Sequence, residues 1–266
     1  MAQKVVIILS GKKQSGKDTF YKVAKSYIED NYPNITLTKF AYAEPLKEIC
    51  RKIYDLSDDQ INGNLKEVPD ERYPVRDDIL ARKLGMFADG SGINGTSDPA
   101  QFQGCNPIYQ LGYTPGDTVS SKDWILPPKD GVYGYLTPRL IMQKIGTEVC
   151  RSVYNDTWVL SAWRDKVVPW LQLESNHMSI IVCTDARFAN EITLMQKLVS
   201  DYADIKIRTI KILRETSSAG SDQHISEQDI NEFQFDVTIS NNSDLSQYED
   251  DIRFIISSII KEIGDF

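Results

Sequence analysis

One local arrangement restricts this chain more than any other: an apolar run, then a glycine-rich turn, then a stretch with helical spacing. Lys4 to Leu9 reads KVVIIL. Such a run, without polar alternation, fits a parallel strand buried on both faces. Gly11-Lys12-Lys13-Gln14-Ser15-Gly16-Lys17-Asp18-Thr19 follows, and then Phe20, Val23, Ala24, Tyr27 and Ile28 recur on one helical face. Strand, glycine turn and helix open an α/β fold. In that position G-x-x-x-x-G-K reads as a phosphate-binding loop. Glycines let the backbone wrap around phosphate oxygens with N–H groups inward, and the helix adds the positive end of its dipole. Lys17 would reach the outer phosphates as a point charge. Where Ser or Thr commonly follows Gly-Lys, this chain has Asp18 and then Thr19. Asp18 can support a magnesium ion, which prefers oxygen ligands, or favour the helix start through the dipole; the two roles are compatible.

The rest of the chain continues the alternation. Strands are predicted over Ile35–Ala43, Met178–Asp185, Ile205–Leu213 and Asp236–Ser240, and helices over Pro45–Tyr54, Thr157–Leu173, Phe188–Val199 and Leu245–Ile263. Thr137-Pro138 starts another helix, with Thr as N-cap and Pro in the first turn, and Leu140, Ile141, Ile145 and Val149 form its apolar stripe. Arg139, Gln143 and Gly146 then share a second face. The expectation is a three-layer phosphate-loop NTPase fold: a mostly parallel sheet flanked by helices, in one domain spanning 1–266. A stretch at about 85–135, rich in Gly and Pro and without periodicity, reads as an insertion.

Charge and composition exclude several alternatives. With 30 Lys+Arg against 38 Asp+Glu the net charge is -8, so the overall field does not favour polymeric nucleic acid. Only 2 His are present, His177 and His224, too few for a histidine metal cage. The 4 Cys (Cys50, Cys105, Cys150, Cys183) form no CxxC pair and read as free thiols of a reducing compartment. No apolar run suits a bilayer and the N-terminus does not resemble a signal peptide, so a soluble cytoplasmic protein is expected. The apolar helix faces are compatible with a homodimer.

Three kinds of phosphate-loop protein compete. A guanine-reading switch would carry Asn-Lys-x-Asp, and this chain has no Asn-Lys pair. A motor ATPase would commonly end a strand in adjacent acids, whereas Asp185 is followed by Ala186 and Arg187. A carboxylate and a cation at the carboxyl end of a parallel strand suit a small-molecule kinase. LSGKKQSGKDT, AYAEPLKEI, TPRLIMQKIGTEV, DTWV, TDARFANE, DQHISE and DVTISNNSDL, in this order, resemble the deoxynucleoside monophosphate kinases of tailed bacteriophages. The loop alone also resembles that of phosphomevalonate kinases, and dephospho-coenzyme A kinases are a further small-molecule alternative.

The resemblance implies transfer of the ATP γ-phosphoryl group to a deoxynucleoside monophosphate, with magnesium. Lys13, Ser15, Gly16, Lys17, Asp18, Thr19 and Arg214 would then bind ATP, with Asp18 toward the metal and Arg214 on the adenine. Lys47, Arg139, Gly146, Trp158, Asp185, Arg187 and Glu191 would bind the acceptor. Lys17, Arg139, Asp185 and Arg187 would be catalytic. Glu191 lies four residues after Arg187 and could pair with it. Trp158 could stack a base or fill the core. His224 carries no chemistry in this reading. Gln14 departs from relatives with Arg inside the loop, which removes one substrate contact.

Overall fold

The computed structural model describes residues 3–12, 14–76, 132, 134–174, 176–202, 204–215 and 233–263. The glycine-rich stretch at about 85–135 falls almost wholly outside them, as do Lys13, Cys105 and His224. In chain order the elements begin with β1 (Lys4–Ser10), α1 (Lys17–Asn31), β2 (Thr36–Phe40), α2 (Glu44–Tyr54), α3 (Asp58–Ile61), β3 (Pro74–Val75) and β4 (Gly134–Tyr135). They continue with α4 (Pro138–Gln143), α5 (Thr157–Ala162), α6 (Val168–Gln172), β5 (Ser179–Ala186), α7 (Ala189–Ser200), β6 (Ile205–Leu213), β7 (Val237–Ser240) and α8 (Leu245–Ile263). The chain divides into two compact units. One runs to Leu46 and resumes at Cys150; the other takes Lys47–Val149.

The first unit is built on a five-stranded sheet in the order β2-β5-β1-β6-β7, with every pairing parallel. β1 is central because its side chains are apolar on both faces. Val5 to Ser10 are all fully buried. Val5, Ile7 and Leu9 join one core cluster with Phe20, Ala24 and Ile28 of α1 and with Tyr248, Ile252, Ile256 and Ile260 of α8. The i, i+4 spacing on both helices sets one stripe of each against the sheet. Burying each large apolar side chain contributes about 1.5–3 kcal/mol. α7 packs against β6, and its Ile192, Met195 and Val199 are buried. From β1 the chain crosses to β2, beyond β5; from β5 it crosses to β6, on the other side of β1. The connections thus reverse direction between β1 and β5, and α/β sheets bind ligands at the carboxyl ends of the strands at such a switch point.

The second unit contains a short antiparallel pair, Pro74 opposite Tyr135 and Val75 opposite Gly134. Buried Asp70 organises it. Its carboxylate accepts from Gln60 Nε2 at 2.7 Å, from Arg72 Nη2 at 2.7 Å and from the Arg72 backbone N–H at 3.1 Å. These donors, Arg72 foremost, hold the Asp70 carboxyl down at about 2. Ser57 caps α3 reciprocally with Gln60.

The strand and helix expectations are met closely, Leu245–Ile263 to the residue. Thr137 caps α4, accepting the Leu140 N–H at 3.1 Å, with Pro138 in the first turn. One expectation fails. From Lys144 to Arg151 the helix widens into a π-helix, and Val149, assigned to the apolar stripe, is exposed. An i→i+5 ladder turns each residue through a smaller angle than an α-helix does. The face expected for Arg139, Gln143 and Gly146 therefore holds only for the α-helical part, Arg139 to Gln143. A second π-helical stretch, Trp163–Val167, joins α5 to α6 inside the single helix expected at Thr157–Leu173. Among the described residues no helix is long and apolar enough to cross a membrane. Cys50, Cys150 and Cys183 are not in disulfides.

Candidate phosphate-binding site

The turn between β1 and α1 is shaped by its glycines. Gly16 precedes α1 with φ 108° and Gly11 follows β1 with φ 153°. At Gly16 a Cβ would stand 2.5 Å from Asn241 Nδ2 and 3.1 Å from the Tyr248 hydroxyl; at Gly11 it would stand 2.5 Å from the Ile212 carbonyl oxygen. Both positions need the missing side chain for conformation and for space. Gln14 also has a left-handed φ, 62°. The Ser15 N–H donates to the Lys12 carbonyl at 3.1 Å, which closes the turn.

Lys17 opens α1 and folds back over the loop. Its ammonium donates to the carbonyls of Gly11 at 2.6 Å and Lys12 at 2.8 Å. Asp18 is exposed in the first helical turn, and Thr19 is half-buried beside it. Three side chains hold consecutive loop carbonyls from outside. Arg214 donates to Gln14 at 3.1 Å, Asn241 to Ser15 at 2.8 Å, and the Tyr248 hydroxyl to Gly16 at 3.1 Å. Arg214, expected on the adenine, thus supports the loop backbone, and Asn241 and Tyr248 were not expected here. The signal for Asn241 was its place just after β7; Tyr248 had none beyond its place in the closing helix.

A second cluster forms at the carboxyl end of β5. Asp185 accepts the backbone N–H groups of Tyr42 at 2.8 Å and Ala43 at 3.0 Å, which ties the segment after β2 to β5. Arg187, next after β5, is exposed. Glu191 reaches Arg187 through the backbone and takes an ion-pair partner that was not expected. Its Oε1 accepts from the Arg151 guanidinium at 3.0 Å, and its Oε2 accepts the backbone N–H groups of Arg187 at 2.7 Å and Phe188 at 3.1 Å. An N3 glutamate is well placed to reach back to the first amides of its own helix, so the carboxylate serves the backbone of Arg187. Both members of the Arg151–Glu191 pair are under a tenth exposed. Burial pushes the Glu191 carboxyl up to about 7. Arg151 lies over the Phe188 ring, 3.6 Å from its centroid, and donates to Asn190 Oδ1 at 2.8 Å. Burial also pushes the Cys183 thiol and the Tyr42 hydroxyl well up, so both stay protonated. Arg151 carried no sequence signal, since an Arg in a helix usually reads as a solvated charge.

Trp158 is buried in α5, which favours packing over base stacking. Lys47, Arg139 and Gly146 belong to the second unit. There Lys47 is half-buried near the start of α2, Gly146 is buried, and Arg139 pairs with Glu67.

No protein-family profile matches the chain. It is 25% identical over 195 residues to the deoxynucleoside-5'-monophosphate kinase of Escherichia phage T5, across 73% of this chain and 72% of that protein. It is 26% identical over 247 residues to a protein of Acanthamoeba polyphaga mimivirus provisionally named deoxynucleotide monophosphate kinase, across 92% of each. Among solved structures, a plasmid partition protein from Borrelia burgdorferi aligns over 98% of this chain and 100% of its own, at 11% identity and a TM-score of 0.30. A second partition protein from that organism, bound to AMPPNP, aligns at 12% identity and a TM-score of 0.29, over 98% of this chain and 100% of its own. Likeness of that degree is too slight to carry an argument.

Proposed function

We propose that this chain is an ATP-dependent kinase that transfers the γ-phosphoryl group of ATP to the phosphate of a deoxynucleoside monophosphate, supplying precursors for viral DNA synthesis. The carrying observation is the β1–α1 turn, with glycines where a Cβ would collide and a lysine at the helix start. The names of the two viral relatives support the acceptor class.

In this reading the amides of the loop and of the first turn of α1 take the ATP phosphates. Lys17 exchanges the carbonyls of Gly11 and Lys12 for the outer phosphate oxygens. Lys13, Ser15, Gly16, Asp18, Thr19 and Arg214 complete the ATP site. Lys47, Arg139, Gly146, Asp185, Arg187 and Glu191 are assigned to the acceptor, the two arginines to its phosphate, while Trp158 is left to the core. Asp185 and Glu191 act there by fixing backbone, since their oxygens are engaged with main-chain amides. An ionised acceptor phosphate needs no strong general base, so the chain's task is positioning and charge neutralisation.

Magnesium fits this donor set. Among the described residues no three His, Cys, Asp or Glu side chains gather to hold a metal alone, and a magnesium ion typically takes one or two carboxylates plus substrate phosphates. Asp18 would be the protein ligand, and the ion would supply charge neutralisation at the phosphates.

The test is a coupled ADP-release assay with ATP and magnesium, adding each deoxynucleoside monophosphate in turn, then dephospho-coenzyme A and phosphomevalonate. Release that depends on a deoxynucleoside monophosphate is expected. Release without any acceptor, or only with another acceptor, overturns the assignment. Lys17→Ala should abolish transfer in a protein with an unchanged circular dichroism spectrum, and near-normal turnover would refute the loop's role. Arg139→Ala should raise KM for the monophosphate at least about tenfold, the loss of one charged hydrogen-bonding contact. A rise confined to the KM for ATP would mean that the two sites are exchanged.

A further inference from the structure

The loop's glycines and its Ser15–Lys12 bond set part of its shape, and supports from the far end of the chain hold the rest. A trans peptide plane carries its C=O and N–H in opposite directions, so a donor that fixes a carbonyl also aims the next amide. Asn241 holds the Ser15 carbonyl at 2.8 Å, which turns the Gly16 N–H the other way. Tyr248 holds the Gly16 carbonyl at 3.1 Å, beside the helical N–H of Phe20 at 2.8 Å, which turns the Lys17 N–H the other way. These two amides open α1 and are among those a phosphate would meet. Arg214 does not aim a third, because the Ser15 N–H is already committed to Lys12.

Both supports are rigidly mounted. The Asn241 backbone N–H donates to the Leu213 carbonyl at 2.7 Å, fixing the residue at the ends of β6 and β7. Tyr248 is fully buried in the first turns of α8, whose start is fastened by Asp244 accepting the Gln247 N–H at 2.9 Å. The collision of a Gly16 Cβ with these same two side chains is a separate observation, and it shows that loop and supports are fitted to one another.

We infer that Asn241 and Tyr248 are positioning residues for nucleotide phosphates, which they orient by clamping the Ser15 and Gly16 carbonyls from behind. This rests on the proposed loop function but not on the identity of the acceptor. Without Asn241 the Ser15–Gly16 peptide unit can rotate and present its carbonyl oxygen to the phosphates, which repel it, and without Tyr248 the Gly16 carbonyl is left with its helical bond from Phe20 alone.

The experiment measures binding of ATP and of inorganic tripolyphosphate by calorimetry in wild type, Tyr248→Phe, Asn241→Ala and the double variant. Thermal unfolding and steady-state kinetics accompany it. Tyr248→Phe removes one oxygen and keeps the buried ring, so it keeps the test alive if Asn241→Ala misfolds. The double variant should bind both probes about tenfold more weakly, equivalent to about 1.4 kcal/mol. Its kcat should fall, and its KM for the acceptor should stay unchanged. Unchanged affinity in folded variants, including the case where only thermal stability drops, overturns the inference and leaves the kinase reading intact. Failure of wild type to bind either probe refutes the loop reading and this inference with it.

Discussion

Replacing Glu191 with Gln tests which force governs the buried Arg151–Glu191 pair. Burial pushes this carboxyl from an ordinary 4.5 to about 7, with the Asp185 charge acting the same way; the amides of Arg187 and Phe188 and the Arg151 guanidinium pull against it. The native state therefore holds this proton more tightly than the unfolded chain does. Its stabilising contribution is complete below about pH 4.5 and is lost as the pH rises through about 7. At about 1.4 kcal/mol per pH unit, the span from 4.5 to about 7 is worth about 3 kcal/mol. Glutamine carries no titrating proton, so the variant lacks this slope. It also lacks one acceptor oxygen, a pH-independent cost of about 1–3 kcal/mol. Urea unfolding followed by tryptophan fluorescence suits the measurement, because Trp158 and Trp170 are buried in the same unit. The variant should be clearly less stable than wild type near pH 4.5, and the gap should close by about 3 kcal/mol toward pH 8. A gap that widens with pH would refute the reasoning. It would mean that Arg151 outweighs burial and that the pair is held together by its charges.

Two further expectations follow from geometry. Gly16→Ala should erase the thermal shift that ATP gives wild type, since the left-handed φ alone costs about 1–2 kcal/mol and the 2.5 Å approach to Asn241 displaces a loop support; an undiminished shift would contradict it. Asp70→Asn should cost about 2 kcal/mol at pH 7, because a carboxyl lowered from 3.8 to about 2 stabilises the fold above pH 3.8. That cost should fade as the pH drops through about 2, and a pH-independent deficit would show that lost packing is the cause.

Periodicity made the main sheet and its helices legible. β1 announced itself because residues buried on both faces need no polar alternation, and α8 because Ile252, Ile256 and Ile260 repeat every fourth position. The loop was legible because its glycines stand at fixed spacing. What sequence could not supply were partners chosen by the third dimension. Glu191 meets Arg187, four positions away, through the backbone, but its buried ion pair is with Arg151, 40 positions away. Asn241 and Tyr248 reach the loop across 226 and 232 positions. The π-helix at Lys144–Arg151 was hidden for another reason: its residues also satisfy an α-helical pattern, and the wider ladder shows only in the backbone hydrogen bonds and the exposure of Val149.

The place of β1 in the middle of the sheet also bears on how the chain is made. Its neighbour β5 pairs Lys4 with Ser179, and its other neighbour pairs Lys4 with Ile205. β1 thus precedes the other strands in the chain, and both of its partners lie far downstream. At about 5–20 residues per second, the VVIIL segment waits roughly 10–35 s on the ribosome before β5 exists. A β-rich segment without charge is prone to pair with other chains while it waits. Lys4 on one side and Lys12, Lys13 and Lys17 on the other flank it with positive charge, the placement that gatekeeper residues take around unavoidable hydrophobic strands. The cations of the phosphate loop would thus protect the newborn chain before there is a site for them to serve.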